Sequence, residues 1–153
     1  MNLKNLLTLT IRRQSFNLVA RQPELLKQLR KLTLYPDSGL NQELDHLTQL
    51  AQQRSVQAQV LLAYRQTQLV GWALVSKEKS DFNFYNTDQA YDPSYGILVE
   101  MFVAPNYRRQ GVGTTLMKVA KSQAKSERLC VAPWDDGSTA FFINFSHYRT
   151  KWL

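Results

Sequence analysis

The sequence predicts an α/β (α+β) fold, a mixed sheet with helices on it, in the order β-α-α-β-β-β-α-β-α-(β) over residues 1–153 as one domain. Three observations carry this. Short apolar runs rich in Val, Leu and Ile are spaced along the chain with turn residues between them, the pattern of strands. Two leucine stripes at helical spacing fall between the first two of those runs. A strand, a basic glycine-containing loop and an amphipathic helix follow one another from 96 to 126.

Each element has its own reason. Leu7, Leu9 and Ile11 alternate with threonine and arginine, as in a half-buried first strand. Pro23 suits the first position of a helix, and Glu24 the positive end of its dipole. Leu25, Leu29 and Leu32 line one side, and Tyr35-Pro36 stops the helix, because a residue before proline avoids the helical region. A second helix is expected from about Ser38 to Arg54, with Leu40, Leu44, Leu47 and Leu50 on one side. Val60–Tyr64 and Leu69–Val75 read as strands joined by a polar hairpin turn, Arg65-Gln-Thr-Gln68. Leu129–Ala132 reads as a fifth strand, Ser138 as the N-cap of a last helix to about Phe145, and Tyr148–Leu153 as a final short strand.

Residues 96 to 126 organise the chain. Gly96–Val103 is apolar and β-branched enough for a buried strand, and Pro105 ends it for want of an N–H. Arg108, Arg109, Gly111 and Gly113 then precede a helix whose Val112, Leu116 and Ala120 share one stripe. The first N–H groups of a helix have no partner within it, and the dipole favours negative charge there. Glycine lets backbone approach a ligand closely, and arginine adds charge-assisted bonds suited to phosphate. Residues 108–114 therefore read as a diphosphate cradle. A Walker loop is excluded by the lack of any Gly-Lys pair. A dinucleotide fingerprint fits less well, since Leu116 stands where a third small residue belongs, although Asp135 and Asp136 fall where a ribose-binding acid would.

Arg108-x-x-Gly111-x-Gly113 at a helix start, after a strand ending Val-Ala-Pro, resembles the acyl-coenzyme A signature of the GNAT N-acetyltransferase family, (Q/R)-x-x-G-x-(G/A). The element order and Val70-Gly-Trp72 resemble that family too. The resemblance implies a splayed mixed sheet and acetyl-coenzyme A as cosubstrate. It implies that the backbone of Met101, Phe102 and Val103 binds the pantetheine arm and acyl carbonyl. It implies that Arg108, Arg109, Gln110, Gly111, Val112, Gly113 and Thr114 hold the diphosphate. The reaction implied is transfer of an acetyl group to a primary amine by direct attack in a ternary complex. Some relatives place a glutamate on the cofactor strand, which makes Glu100 the expected base; pairing with arginine at a strand edge is its other reading. The family's last helix often carries a tyrosine that protonates the thiolate. Here Asn144 stands at that position, so Asn144 hydrogen-bonding the sulfur, or Tyr148 one turn on acting as the acid, are the two replacements. Relatives commonly continue with another strand pair, which leaves a partner chain, in a homodimer, as one way to complete the sheet.

Residues 77–95 are rich in aromatics and acids, among them Phe82, Tyr85, Tyr91, Asp81, Asp88 and Asp92. They read equally as the wall of a cationic acceptor site and as a long hairpin whose aromatics cover the sheet. The acceptor classes left open are a small cationic molecule, a protein amine and an aminoacyl-tRNA. Net charge is +7 from 19 basic and 12 acidic residues, which suits a polyphosphate cosubstrate and also a nucleic-acid partner. A coenzyme-binding module without catalysis and a small basic nucleic-acid-binding protein are the other two function classes.

The single cysteine, Cys130, cannot form an intramolecular disulfide and reads as a core residue. No run approaches the roughly 20 apolar residues of a membrane span, and the N-terminus is a poor signal peptide, so the expected setting is cytoplasmic. His46 reads as a helix surface residue and His147 as surface or packing. No cluster of Cys and His has metal-ligand spacing, so no metal is expected.

Overall fold

In the computed structural model, residues 8–32, 39–76, 96–122, 129–131 and 148–150 are described. Strand β1, Leu9–Ser15, leads into a short helix α1, Phe16–Val19, then α2, Pro23–Leu32, and α3, Gly39–Gln53. Strands β2, Gln59–Arg65, and β3, Gln68–Ser76, form the expected hairpin. Strand β4 is Gly96–Val103, a 3-10 turn covers Pro105–Tyr107, and helix α4 is Val112–Ser122. Short strands β5, Leu129–Val131, and β6, Tyr148–Thr150, follow. The sheet order is β1-β2-β3-β4-β5-β6; β1 to β4 are antiparallel, and β4-β5 and β5-β6 are parallel. The mixed sheet with flanking helices is the predicted class.

Alternation along the strands divides the core in two. On one face Val60, Leu62, Trp72 and Leu74 pack with Phe16, Leu29, Leu44 and Leu47 from α1, α2 and α3. On the other, Leu61, Ala73, Val75 and Leu98 pack with Val112, Leu116, Met117 and Ala120 from α4. Of the stripes read from the sequence, Leu25, Leu29, Leu44, Leu47, Val112, Leu116 and Ala120 are buried and Leu32 and Leu50 partly so, while the side chain of Leu40 lies outside those described. Arg30 of α2 forms a salt bridge with Asp45 of α3. The indole Nε1 of Trp72 is buried without a hydrogen-bond partner among the described residues.

Helix α1 is absent from the predicted order. Its N-cap is Ser15, whose Oγ accepts from the Asn17 amide at 3.2 Å. Asn17 also acts as a piece of backbone. Its Oδ1 accepts from Val56 N and its Nδ2 donates to Val56 O, both at 2.9 Å. With Phe16 N donating to Ala58 O at 2.9 Å, this ties the end of β1 to the approach to β2.

The last predicted helix and the 77–95 stretch lie outside the described residues. Among the described residues, no helix is long and apolar enough to cross a membrane.

Candidate active site: the end of strand β4 and the loop into helix α4

Among the described residues, β4 pairs with β5 only along its first part. The β4-β5 register runs from Gly96 opposite Leu129 to Leu98 opposite Val131 and stops there. On its other edge β4 stays with β3 to the end, Gly71 opposite Val103, with a bulge between the Leu98 and Glu100 pairs. A bulge bends a strand and increases its local twist. The bulge falls just past the last described β4-β5 pair, so residues 99–103 lie beyond the β4-β5 pairing seen among the described residues.

Hydrogen bonding separates the three residues expected to meet a cosubstrate. Ala104 N donates to Val70 O at 2.8 Å, so the β3-β4 ladder continues past Val103. Backbone groups alternate in direction along an antiparallel strand. Phe102 therefore turns its backbone to β3; its carbonyl lies 2.9 Å from where a Cβ on Gly71 would sit. Met101 and Val103 turn theirs to the β5 side.

The loop that follows is built from alternating backbone handedness. Arg109 has φ 61° and Gly111 φ 84°, whereas Gln110 between them does not take positive φ. Such alternation makes successive N–H groups converge into an anion-binding nest. Gly111 is glycine because that φ is strained for other residues, and a Cβ there would meet nothing within 4 Å. Its carbonyl is occupied, accepting from Thr115 N at 3.0 Å and Thr115 Oγ1 at 2.8 Å. Gly113 is already helical and needs no special φ. The first turn of α4 carries no acid, and none occurs from Met101 to Ser126, while Arg108, Arg109, Lys118, Lys121 and Lys125 do. No carboxylate of that stretch therefore meets the positive end of the helix dipole, which favours negative charge.

Gly71 has the opposite reason to be glycine. A Cβ there would lie 2.9 Å from Phe102 O and 3.2 Å from Val112 Cγ1. The absence of a side chain on β3 lets the first residue of α4 rest directly on the sheet. The helix start, and with it the loop, is set beside the end of β4 by that contact.

Arg108 and Arg109 play unlike parts, although the sequence offers them as a pair. Arg108 turns back: its Nε donates to Val103 O at 3.0 Å, and its guanidinium lies 5.5 Å from the Phe102 ring centroid. It closes the end of β4. Arg109 is exposed.

Sequence reasoning missed the support beneath the loop. Arg65 Nη2 donates to Gln110 O at 3.3 Å, and Tyr107 Oη donates to Gln68 Oε1 at 2.9 Å. Gln110 Nε2 also reaches Asn106 O at 3.1 Å. Both ends of the β2–β3 turn hold the loop, from about 40 residues away in the chain, a separation that no local motif reveals.

Of the expected chemical residues, Glu100 is described only in its backbone, opposite Leu74, and Tyr148 only as the start of β6, opposite Leu129. Asn144, His147, Asp135 and Asp136 lie outside the described residues. His46 is half-buried on α3. Among the described residues no three His, Cys, Asp or Glu side chains are grouped to hold a metal.

The end of β4, the turn at Arg109–Gly111 and the N-terminus of α4, with no acid in its first turn, lie together, and such a set of backbone donors and positive dipole suits an anion such as phosphate. The profile of the acetyltransferase (GNAT) family matches residues 24–145, and the chain belongs to that family. Among solved structures it is similar to apo aminoglycoside antibiotic 6'-N-acetyltransferase AAC(6')-IG from Acinetobacter haemolyticus, with 26% identity and a TM-score of 0.62 over 94% of each chain. It is also similar to aminoglycoside N-acetyltransferase AAC(6')-Iy in complex with CoA, at 15% identity and TM-score 0.61, over 95% of this chain and 91% of that one. A third is an aminoglycoside acetyltransferase from an uncultured soil metagenomic sample in complex with sisomicin, at 19% identity and TM-score 0.57, over 95% and 90%. No curated protein sequence matches.

Proposed function

We propose that residues 1–153 form one acetyltransferase domain that moves an acetyl group from acetyl-coenzyme A to a primary amine in a ternary complex. The observation that carries this is the nest at Arg109–Gly111 opening α4, placed beside the end of β4, past its last described pair with β5. The amides of Gly111, Val112, Gly113 and Thr114 hold the diphosphate, with Arg109 and Gln110 at the rim. Backbone groups of Met101 and Val103 take the pantetheine arm, and a Val103-side N–H meets the oxyanion; such a donor is worth about 3 kcal/mol in the transition state. Arg108 steadies that strand end by its bond to Val103 O.

The amine must be neutral to attack. A lysine-like amine is neutral on the order of one time in a thousand at pH 7, so a base is useful. Glu100, directly before those backbone groups, takes that part, alone or through water. Asn144 or Tyr148 serves the departing sulfur. No metal takes part in this scheme. The solved relatives named for aminoglycosides favour a small cationic amine as acceptor over a protein amine or an aminoacyl-tRNA. The cytoplasm is the matching compartment.

The direct test is Gly113→Glu. Gly113 has ordinary helical geometry, so the backbone is not strained, while a carboxylate enters the diphosphate site. Acetyl-coenzyme A binding is expected to vanish with the fold retained. Unchanged affinity by calorimetry on the folded variant would refute the cradle.

A second reading has one specific support. Asn144 stands where the family's acid tyrosine is expected, which fits a coenzyme-binding module without catalysis. Thioester cleavage across a panel of amines separates the two.

A further inference from the structure

The loop meets the diphosphate through N–H groups, yet an amide can point outward only if its carbonyl partner is held inward. In a planar trans peptide the N–H and C=O point in opposite directions, and the chain has no cis peptide among its described residues. The carbonyl of Gln110 belongs to the same peptide as the N–H of Gly111. It is held by Arg65 Nη2 at 3.3 Å. The carbonyl of Gly111 belongs with the N–H of Val112, and it is held by Thr115 N and Oγ1. Two successive peptides are thus pinned by their oxygens, one from within α4 and one from the β2–β3 hairpin.

We infer that Arg65 is a positioning residue for coenzyme binding: it fixes the Gln110–Gly111 peptide so that the Gly111 N–H faces the diphosphate. This rests on the acetyl-coenzyme A reading above. The guanidinium does a second thing. A cation on the carbonyl polarises the peptide and makes its N–H a stronger donor. The hairpin is shaped for the task. Gln66 takes φ 55° at the first central position of a two-residue turn, a strained choice for a residue other than glycine, and the turn places Arg65 opposite Gln68. Gln68 in turn accepts from Tyr107, at the start of the same loop.

The experiment compares the whole wild-type chain with Arg65→Met, Arg65→Gln and Arg65→Lys. Calorimetry gives affinities for acetyl-coenzyme A and for S-acetylpantetheine, which lacks the diphosphate. The 1H–15N resonance of Gly111 reports its hydrogen bond. Losing an aimed, charge-assisted donor is expected to weaken acetyl-coenzyme A about tenfold in Arg65→Met. KM should rise with kcat at saturation kept within about twofold, as for lost ground-state binding. The ligand-induced shift of Gly111 should shrink, S-acetylpantetheine affinity should stay as in wild type, and Arg65→Lys should recover part of the loss. Arg65→Gln, which is too short to span to Gln110, is read in the same way should Arg65→Met not fold. Wild-type affinity and an unchanged Gly111 shift in the folded variants would overturn the role of Arg65 and leave the cradle standing. So would weaker binding with the Gly111 shift intact, which means direct contact with phosphate, or equal weakening of both ligands, which means general damage. A wild-type chain that binds no acetyl-coenzyme A sinks the cradle itself, and this inference with it.

Discussion

Gly71→Ala tests whether the absence of a side chain on β3 sets the position of α4. The added Cβ would come within 2.9 Å of Phe102 O and 3.2 Å of Val112 Cγ1. Ordinary van der Waals contact begins near 3.4 Å, so the facing strand must give by about half an ångström. Phe102 O is a backbone atom within a sheet, and Val112 is buried and stiff at χ1, so neither can rotate away. Overpacking of this kind costs about 1–3 kcal/mol. Restricting the unfolded chain by replacing glycine returns about 0.4–1 kcal/mol. A net loss of about 1–2 kcal/mol remains, or about 3–6 °C in Tm for a chain of this size. Because Val112 opens α4, acetyl-coenzyme A affinity should fall with stability. Adding Val112→Ala removes one of the two clashes, so a double-mutant cycle in urea should show coupling of at least about 0.5 kcal/mol. An unchanged Tm with no coupling would refute the close-approach argument.

Three further outcomes follow from local geometry. Asn17→Ala leaves the Val56 N–H and C=O without their partner and should cost about 2–3 kcal/mol in denaturant unfolding; a loss under about 0.5 kcal/mol would mean that the bridge is ornamental. Trp72→Phe deletes a buried N–H that lacks a partner among the described residues, as well as ring volume, so the terms offset and stability should stay within about 1 kcal/mol of wild type; a loss above about 2 kcal/mol would reveal a partner for that N–H. Glu100→Gln should lower kcat and flatten the acidic limb of the pH–rate profile, and an unaltered profile removes Glu100 from the scheme.

What the sequence made legible was local or periodic. The stripes of α2, α3 and α4 follow from helical spacing, and the hairpin at Arg65–Gln68 from polarity between apolar runs. The loop from Arg108 to Gly113 was visible because glycine and arginine cluster there. Helix α1 was missed because a single turn has too few residues for a period, although Ser15 before Phe16 was a usable cap signal. The roles of Gly71, Arg65 and Gln68 could not be read, because each is defined by contact with residues 31 to 45 positions away. The division of labour between Arg108 and Arg109 was hidden for another reason: adjacent identical side chains diverge once the backbone takes φ 61° at one of them.

The change from antiparallel to parallel pairing at β4 bears on how the protein assembles. Strands β2, β3 and β4 join neighbours in the chain, whereas β5 and β6 reach the sheet only by crossovers, and such non-local pairs form slowly. The coenzyme site proposed above therefore follows the seam between a meander expected to fold early and strands expected to arrive late. A molecule seated there favours the closed seam by mass action. Supplying coenzyme during refolding should accordingly protect the amides of Leu129–Val131 from hydrogen exchange sooner, while those of Leu61–Ala63 gain protection on the same schedule with or without it.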